Sequence, residues 1–299
     1  MTVLLAAEVG ANKMAAALVD HEGRCARVLE APTPLHEGSV VVMNALMSLL
    51  LQAQGGMEPA AVGLSLPGVI DPESATVLEA TDALPGWRGC DVRAGLATSF
   101  AVPVHALNTT HGALLGEAWN GALKGAQRGA LLSLGDGVEG AFLANGQLQG
   151  GAHHSAGQWG RAELMHSGRR LALENLLSNR GLAWLHRELG GTSLHASDVF
   201  ALQELDASAR EALRQWVEQL SLFVRNLHWS LDPGVLLIGG EQLEARAVWW
   251  PQLLQALDDV PLQVLPLQLG ERAGLIGAAR HALNRLEQTH TEMDPRAWI

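Results

Sequence analysis

With 299 residues, of which 48% are hydrophobic and 17% charged, the chain is long enough for two domains with separate cores and is atypical of a disordered protein. Its formal net charge of −11 argues against a broad nucleic-acid or anionic-membrane surface, because both require clustered Lys and Arg. Two cysteines, Cys25 and Cys90, are too few for a disulfide framework or a cysteine zinc cluster.

The N-terminal sequence, MTVLLAAEVGANK, has no basic segment before its apolar run, and Glu8 interrupts that run early. These features argue against a signal peptide, and no stretch approaches the ~20 apolar residues of a membrane span. We therefore expect a cytoplasmic protein that binds neither membranes nor nucleic acid.

Short apolar runs and tight turns alternate through the first third of the chain. They predict strands at 2–7, 14–19 and 24–30, a helix at 40–54, a buried strand at 61–66, a helix at 92–100 and a strand at 102–107. The first three strands are separated only by short turns, so we expect them to pair antiparallel.

A polar corner, Asn108-Thr109-Thr110, follows the strand predicted at 102–107 and precedes a helix. Open α/β sheets place chemistry at such corners, because a helix N-terminus offers free N–H donors and a positive dipole end. The same residue types are good N-caps, so capping of the helix accounts for them equally well.

The second half repeats the strand, glycine turn, strand arrangement of the N-terminus. We predict strands at 129–134 and 141–145, a hairpin turn at Asn145-Gly146, a loop at 150–160, mostly helix over 171–227, strands at 235–238 and 261–267, and a helix at 273–286. This predicts a duplicated α/β fold with a cleft between its halves. The predicted domains are 1–107 plus a C-terminal helix at about 273–290, a larger domain at 108–272, and a tail at 291–299.

Three glycine turns lie at predicted strand ends, at 10–13, 135–140 and 239–240. Glycine lets backbone N–H groups approach phosphate oxygens, so such turns can wrap a triphosphate. A single turn of this kind is usually a plain hairpin, whereas three at strand ends favour phosphate binding.

A series of short motifs spans nearly the whole chain. In order they are Gly10-x-x-Lys13, Leu66-Pro67-Gly68-Val69-Ile70-Asp71-Pro72-Glu73, Leu84-Pro85-Gly86-Trp87-Arg88-Gly89, Gly116-Glu117-Ala118-Trp119, Leu134-Gly135-x-Gly137, Gly157-x-x-Gly160, Leu173-Glu174 and Ile238-Gly239-Gly240. This order resembles the ROK family (repressor, open reading frame, kinase) of sugar kinases and sugar-responsive regulators. The resemblance implies an actin-like ATPase (ribonuclease H-like) fold of two domains, sugar and Mg-ATP in the cleft, and a homodimer.

The resemblance also implies roles for individual residues. Sugar contacts are expected at Gly68, Asn108, Gln158, Arg161 and Glu174. Weak or vestigial nucleotide contacts are expected at Glu8, Gly10, Lys13, Gly135, Asp136, Gly137, Gly239 and Gly240. Thr109 occupies the position of the catalytic base.

The residue at the catalytic position departs from the family pattern. The usual pair is Asn-Asp, with the Asp as general base on the sugar hydroxyl, and here it is Asn108-Thr109. A threonine hydroxyl cannot accept a proton at neutral pH, so a contribution of ~10²–10⁴-fold in rate is missing. His111 is the nearest replacement base.

Both phosphate turns depart as well. Glu8-Val9-Gly10-Ala11-Asn12-Lys13 replaces Asp-x-Gly-Gly-Thr-Lys, and Gly135-Asp136-Gly137-Val138-Glu139-Gly140 replaces Gly-Thr-Gly-x-Gly-Gly. The longer acid at the first turn would crowd a metal–phosphate site. Two carboxylates at the second would repel a polyanion.

The segment that normally carries the family's zinc site is also altered. Glu-x-Gly-His is here Gln158-Trp159-Gly160-Arg161, and residues 166–170 replace the cysteine cluster. We expect no structural zinc, although His153, His154 and His166 remain open as ligands for another metal. Arg161 raises the hypothesis of an anionic ligand, such as a sugar acid or sugar phosphate.

Two hypotheses follow, and a third is disfavoured. In the first, the chain is a sugar-binding or regulatory protein with lost or impaired phosphotransfer, and no cofactor is required. In the second, it is an active Mg-ATP-dependent kinase of a sugar, amino sugar or sugar acid. A DNA-binding repressor is disfavoured, because the first phosphate turn begins at Glu8 and leaves no room ahead of it for a helix-turn-helix.

Overall fold

The computed structural model describes residues 2–292, with side chains through residue 289. The chain forms two compact units, the first reaching Gly125 and resuming at Gln268, the second covering Ala126–Leu267. Of the predicted tail, residues 291 and 292 continue the C-terminal helix, and residues 293–299 lie outside the described residues.

The first unit is built on a five-stranded sheet. Its elements up to residue 125 are β1 (Val3–Val9), β2 (Lys13–Asp20), β3 (Cys25–Pro32), α1 (Ser39–Gln54), β4 (Val62–Leu66), β5 (Val69–Asp71), β6 (Thr76–Glu79), α2 (Val92–Leu96), β7 (Val104–Asn108) and α3 (Thr109–Asn120). The strand order is β3-β2-β1-β4-β7, with β1, β2 and β3 antiparallel and β1, β4 and β7 parallel. The predicted antiparallel opening is confirmed.

Two local features of this unit differ from the prediction. The helix predicted at 92–100 ends at Leu96, and the residues after it form a turn in which the N–H groups of Ser99 and Phe100 both donate to the Leu96 carbonyl, at 3.0 Å each. The short antiparallel hairpin of β5 and β6 was not predicted, because its strands have only three and four residues.

The second unit repeats the sheet of the first. Its elements are β8 (Gly129–Leu134), β9 (Val138–Ala144), β10 (Gln147–Leu148), β11 (Glu163–His166), β12 (Arg169–Ala172), α4 (Glu174–Leu177), α5 (Asn179–Glu188), α6 (Ala196–Leu202), α7 (Ala207–Leu231), β13 (Val235–Gly239), α8 (Arg246–Ala256) and β14 (Gln263–Pro266). The order β10-β9-β8-β13-β14 again joins antiparallel strands to parallel ones. The predicted duplication is confirmed.

The last helix, α9 (Ala273–Glu292), returns to the first unit and packs along α3. Small residues allow the two backbones to approach closely: a Cβ atom at Gly277 would overlap the Gly112 carbonyl, and one at Gly116 would overlap the Ala273 carbonyl. We assigned α3 to the second domain from the sequence, whereas its contacts group it with the first unit.

Each unit has its own apolar core. Trp87 is fully buried in the first, and Trp216 and Trp249 are fully buried in the second, where their ring centroids lie 5.3 Å apart. Among the described residues, no helix combines the length and apolar content that crossing a membrane requires.

Candidate functional site

The first glycine turn joins β1 to β2. The Gly10 N–H donates to the Lys13 carbonyl at 2.9 Å, which closes the turn. Lys13 Nζ pairs with Glu271 Oε2 at 2.7 Å and with Glu30 Oε1 at 3.1 Å. These two acidic partners raise the pKa of Lys13 above its ordinary value. The cation of this turn is therefore already paired with protein carboxylates.

The acid of the same turn, Glu8, lies against the N-terminus of α9. Its carboxyl accepts a hydrogen bond from the Leu275 N–H, and a Cβ atom at Gly274 would overlap it. Desolvation by burial raises the pKa of Glu8 to about 7, and the nearby charge of Glu271 acts in the same direction. An anion-favouring helix end is thus occupied by a protein side chain.

The Glu8→Gln substitution should stabilise the protein more at pH 8 than at pH 5. Between the ordinary pKa of 4.5 and the folded value of about 7, the folded chain holds a proton that the unfolded chain releases, so wild-type stability falls as pH rises. Glutamine does not titrate. We expect the stability difference between variant and wild type to grow by about 2 kcal/mol, since the side chain keeps some solvent exposure.

Urea unfolding of both proteins at the two pH values measures this difference. The partly buried His105 and His281, whose pKa values are lowered to about 4 and about 3 chiefly by desolvation, weaken both proteins equally at acid pH and cancel in the subtraction. A stability difference that does not change with pH would contradict the assignment of Glu8.

The polar corner at the end of β7 is built around Asn108. This side chain is 5% exposed, its Oδ1 accepts the N–H groups of Thr110 at 2.8 Å and His111 at 3.2 Å, and its Nδ2 donates to the Gly68 carbonyl at 2.8 Å. Asn108 therefore caps α3 and also brings Gly68 to the corner. A sugar contact at Asn108 stays a prediction.

Thr109 and His111 differ in their surroundings. Thr109 is the first residue of α3 and is partly exposed. His111 is 8% exposed and lies close enough to His281 of α9 for its charge to lower the pKa of that residue. His111, the suggested replacement base, is therefore buried near the interface between α3 and α9.

Glu117 of α3 is a residue whose role the sequence did not reveal. It is 0% exposed, its Oε2 accepts the Ala122 N–H at 2.7 Å, and its Oε1 accepts the N–H groups of Gln268 and Leu269 at 2.7 and 2.6 Å. The Glu117 carboxyl thus binds the backbone near the point where the chain leaves the first unit, after Gly125, and at the point where it returns, at Gln268. Its presence in a Gly-Glu-Ala-Trp motif was the only sequence signal.

The second glycine turn joins β8 to β9 and meets the start of α5. The Asn179 N–H donates to the Gly135 carbonyl at 2.7 Å, and its Nδ2 donates to Asp136 Oδ1 at 3.1 Å and to Glu241 Oε2 at 2.9 Å. Asn179, which sequence analysis missed, therefore holds two carboxylates side by side. The only signal for it was the polar pair Ser178-Asn179 between two helices.

A cavity of about 410 Å³ opens beside this turn. Its lining residues are Asp136, Asn179, His195, Ala196, Ser197, Phe200, Glu241, Gln242, Glu244 and Ala245. Gly239 ends β13, and Gly240 leads into the 3-10 helix Glu241–Ala245 that forms one wall. The structure thus brings Gly135, Gly137, Gly239 and Gly240 into one region, but with carboxylates at its edge.

The loop that carries Gln158 and Arg161 is attached closely to β9. Gly157 has φ +90°, its carbonyl accepts the Gly140 N–H at 2.7 Å, and a Cβ atom there would overlap Gly140. The 3-10 helix Trp159–Arg161 follows, leaving Arg161 exposed. The first glycine of the Gly157-x-x-Gly160 motif is therefore explained by the close approach of its backbone to Gly140 of β9.

Glu174 lies next to this loop. Its Oε2 accepts the Val138 N–H at 3.3 Å, and a Cβ atom at Gly160 would lie 3.1 Å from the same oxygen. The Leu173 N–H donates to the Ala162 carbonyl at 2.7 Å. The structure therefore brings Glu174 together with the segment between Gln158 and Ala162.

The sequence and the fold of this chain are both similar to those of known proteins. A model of the ROK family matches residues 4–285. The chain belongs to the ROK family. The N-acetyl-D-glucosamine kinase of Citrobacter koseri is 27% identical to it over 292 residues, covering 92% of this chain and 93% of the relative.

Solved structures agree with this assignment. The ROK hexokinase from Thermus thermophilus superimposes with a TM-score of 0.84 at 26% identity, covering 96% of this ROK chain and 100% of that one. A ROK glucokinase from Streptomyces griseus, in complex with glucose and AMPPNP, gives 0.78 at 22% identity, covering 94% and 99%. These matches confirm the predicted actin-like ATPase fold.

Within residues 2–289, no group of three or more His, Cys, Asp or Glu side chains is arranged to hold a metal ion. The segment predicted to replace the zinc cluster forms the hairpin of β11 and β12. The absence of zinc stays a prediction.

Proposed function

We propose that this ROK protein binds a sugar or sugar derivative, that its transfer of phosphate from ATP is lost or strongly impaired, and that it acts through binding, as a regulatory protein does. The proposal rests on the acidic pair at the second glycine turn. Asp136 and Glu241 both accept from the amide of Asn179, so two carboxylates lie together at the turn where the family pattern expects phosphates.

Electrostatics favours exclusion of a polyphosphate from this position. Two unit charges 4 Å apart repel by about 1 kcal/mol in bulk water and by about 4 kcal/mol at the effective dielectric of a protein surface. Asp136 and Glu241 together would oppose each phosphate charge brought near them. Glu244 adds a third acid to the lining of the same cavity.

The first unit supports the same conclusion. Lys13 is paired with Glu30 and Glu271, and Glu8 is hydrogen-bonded at the start of α9. Phosphate binding at this turn would have to replace those contacts. Thr109 at the head of α3 supplies no group that accepts a proton at neutral pH.

At the residues proposed to bind sugar, unlike those at the second glycine turn, no two carboxylates are held side by side. Asn108 positions Gly68 through a direct hydrogen bond, and Glu174 lies beside Gly160. Each contact holds a polar group in a defined position within its own unit, as specific binding of a small molecule requires. Sugar binding without phosphate transfer is the function that this combination favours.

A coupled assay of ADP release tests the proposal. The chain is supplied with Mg-ATP and a panel of hexoses, N-acetylhexosamines and sugar acids, beside an active hexokinase as the control. We expect no turnover with any sugar, together with a thermal shift of about 2 °C or more from at least one of them. Turnover on any member of the panel would overturn impaired transfer, and the absence of any thermal shift would overturn sugar binding.

An active sugar kinase is the second candidate. It is favoured by the 27% identity to an N-acetyl-D-glucosamine kinase along 92% of the chain. Phosphoryl transfer depends mainly on positioning and charge stabilisation, and Asp136 and Glu241 would hold Mg²⁺, which would supply positive charge to offset the repulsion. Turnover with N-acetylglucosamine in the same assay would establish this alternative.

A further inference from the structure

A basic groove lies on the second unit between helix α5 and the hairpin of β11 and β12. Its volume is about 420 Å³, within the usual range of about 300–1,000 Å³ for small-ligand sites. Its lining includes Arg169, Glu174, Arg180, Trp184 and Arg187. In a chain with net charge −11, three arginines around one groove are a local reversal of charge.

Helix geometry explains why these side chains converge. Arg180, Trp184 and Arg187 are spaced i, i+4 and i+7 along α5, so they lie on one face of the helix. Arg169 faces them from the start of β12. The hairpin turn that places it has two consecutive residues with positive φ, Ser167 at +47° and Gly168 at +74°, as a tight two-residue turn requires.

Two of the three guanidinium groups are held in position by protein contacts. Arg187 Nη1 donates to the Ser193 carbonyl at 2.8 Å, and Arg169 Nη1 lies 3.3 Å from Glu188 Oε2. Arg180 is exposed, and its guanidinium has no hydrogen-bond or ion-pair partner in the part of the chain that the structure describes. Its donors are therefore available to a ligand.

The groove also has an apolar surface. Trp184 is partly buried, and its ring lies in an edge contact with His166, with the ring centroids 6.1 Å apart. An indole that is fixed in this way can pack against a sugar ring at little entropic cost. Glu174 is the one acidic lining residue, and its Oε2 is engaged by the Val138 N–H.

We propose that this groove, which meets the proposed sugar site at Glu174, binds a further ligand, a phosphorylated hexose, with the phosphate bound by Arg180 and the sugar ring packed on Trp184. A phosphate monoester carries close to two negative charges at neutral pH, and the planar guanidinium donates two parallel hydrogen bonds to it. The site does not depend on whether the protein transfers phosphate. It would let a phosphorylated sugar regulate the chain.

Isothermal titration calorimetry on the full chain tests the site. The probes are glucose 6-phosphate, glucose and inorganic phosphate. We expect glucose 6-phosphate to bind, and Arg180→Ala to weaken that binding at least tenfold while the response to glucose stays unchanged. Affinity should also fall as salt is raised.

Arg246→Ala is the matched control, because Arg246 is an exposed arginine of the same unit outside the groove. It should leave the affinity for glucose 6-phosphate unchanged. Failure of the wild type to bind glucose 6-phosphate, or equal binding by Arg180→Ala, would overturn the proposal. Inorganic phosphate binding as tightly as glucose 6-phosphate would overturn the role of Trp184 and the hexose assignment.

Discussion

The triple variant Thr109→Asp, Asp136→Thr, Glu139→Gly is expected to phosphorylate sugar at least 10²-fold faster than wild type. A positioned general base contributes about 10²–10⁴-fold to such a reaction. Aspartate at residue 109 would stand at the head of α3 beside the cap residue Asn108. The other two changes remove negative charge from the second glycine turn. The measurement is ADP release with Mg-ATP and the sugar that gives the largest thermal shift.

Two controls separate the effects of the three substitutions. Thr109→Asn, with Asp136→Thr and Glu139→Gly, has a side chain similar in size to aspartate but no basic carboxylate, so it should bind ATP without the gain in rate. Thr109→Asp alone should gain little, because Asp136 still opposes phosphate. If the triple variant folds and binds both ligands but shows no gain in rate, the roles given to these positions are wrong.

Replacement of Glu117 by alanine should destabilise the first unit by about 4 kcal/mol, because each partly buried N–H group left without its acceptor costs about 1–3 kcal/mol. Three donors lose their partner at once, those of Ala122, Gln268 and Leu269. A loss of this size is a large fraction of the roughly 5–15 kcal/mol that holds a typical domain folded. We expect the melting temperature to fall by roughly 10 °C, since about 1 kcal/mol corresponds to roughly 2–4 °C at this size.

Differential scanning calorimetry measures the shift, and amide hydrogen exchange at Gln268 and Leu269 should accelerate. Glu117→Gln should lie between alanine and wild type, because its single oxygen satisfies only one side of the site. Glu58→Ala, an exposed glutamate of the same unit, is the matched control and should change the melting temperature by no more than 1–2 °C, as surface substitutions commonly do. A melting temperature of Glu117→Ala close to that of Glu58→Ala would contradict the role of Glu117.

Much of the fold was predictable because its signals are local. Each sheet strand of the first unit coincides with an apolar run that ends at a turn, and the Asn145-Gly146 hairpin lies where the sequence predicts it. The hairpin of β11 and β12 was missed, because its strands have four residues each and none of these residues is buried, so they lack the burial pattern that marks a core strand. Short, solvated strands carry little hydrophobic information.

The site was only partly predictable. The order of glycine motifs was enough to suggest the family and to single out the substituted positions Glu8, Thr109 and Asp136. It could not show that Asn179 holds Asp136 and Glu241 side by side, since these three residues are far apart in sequence. The groove that contains Arg180 and Trp184 was not predicted either, because its opposite side, with Arg169, belongs to a hairpin that was not predicted.

The sequence by itself determined the duplicated α/β architecture, the family and the chemical identity of the substituted positions, because apolar periodicity, turn residues and motif order are properties of neighbouring residues. The tertiary structure decided what those residues do. It gave Glu8 a pKa of about 7 through burial against α9, and it made Glu117 the acceptor for three backbone N–H groups. Desolvation and hydrogen bonding depend on groups brought together only by folding, so their effects cannot be read along the chain.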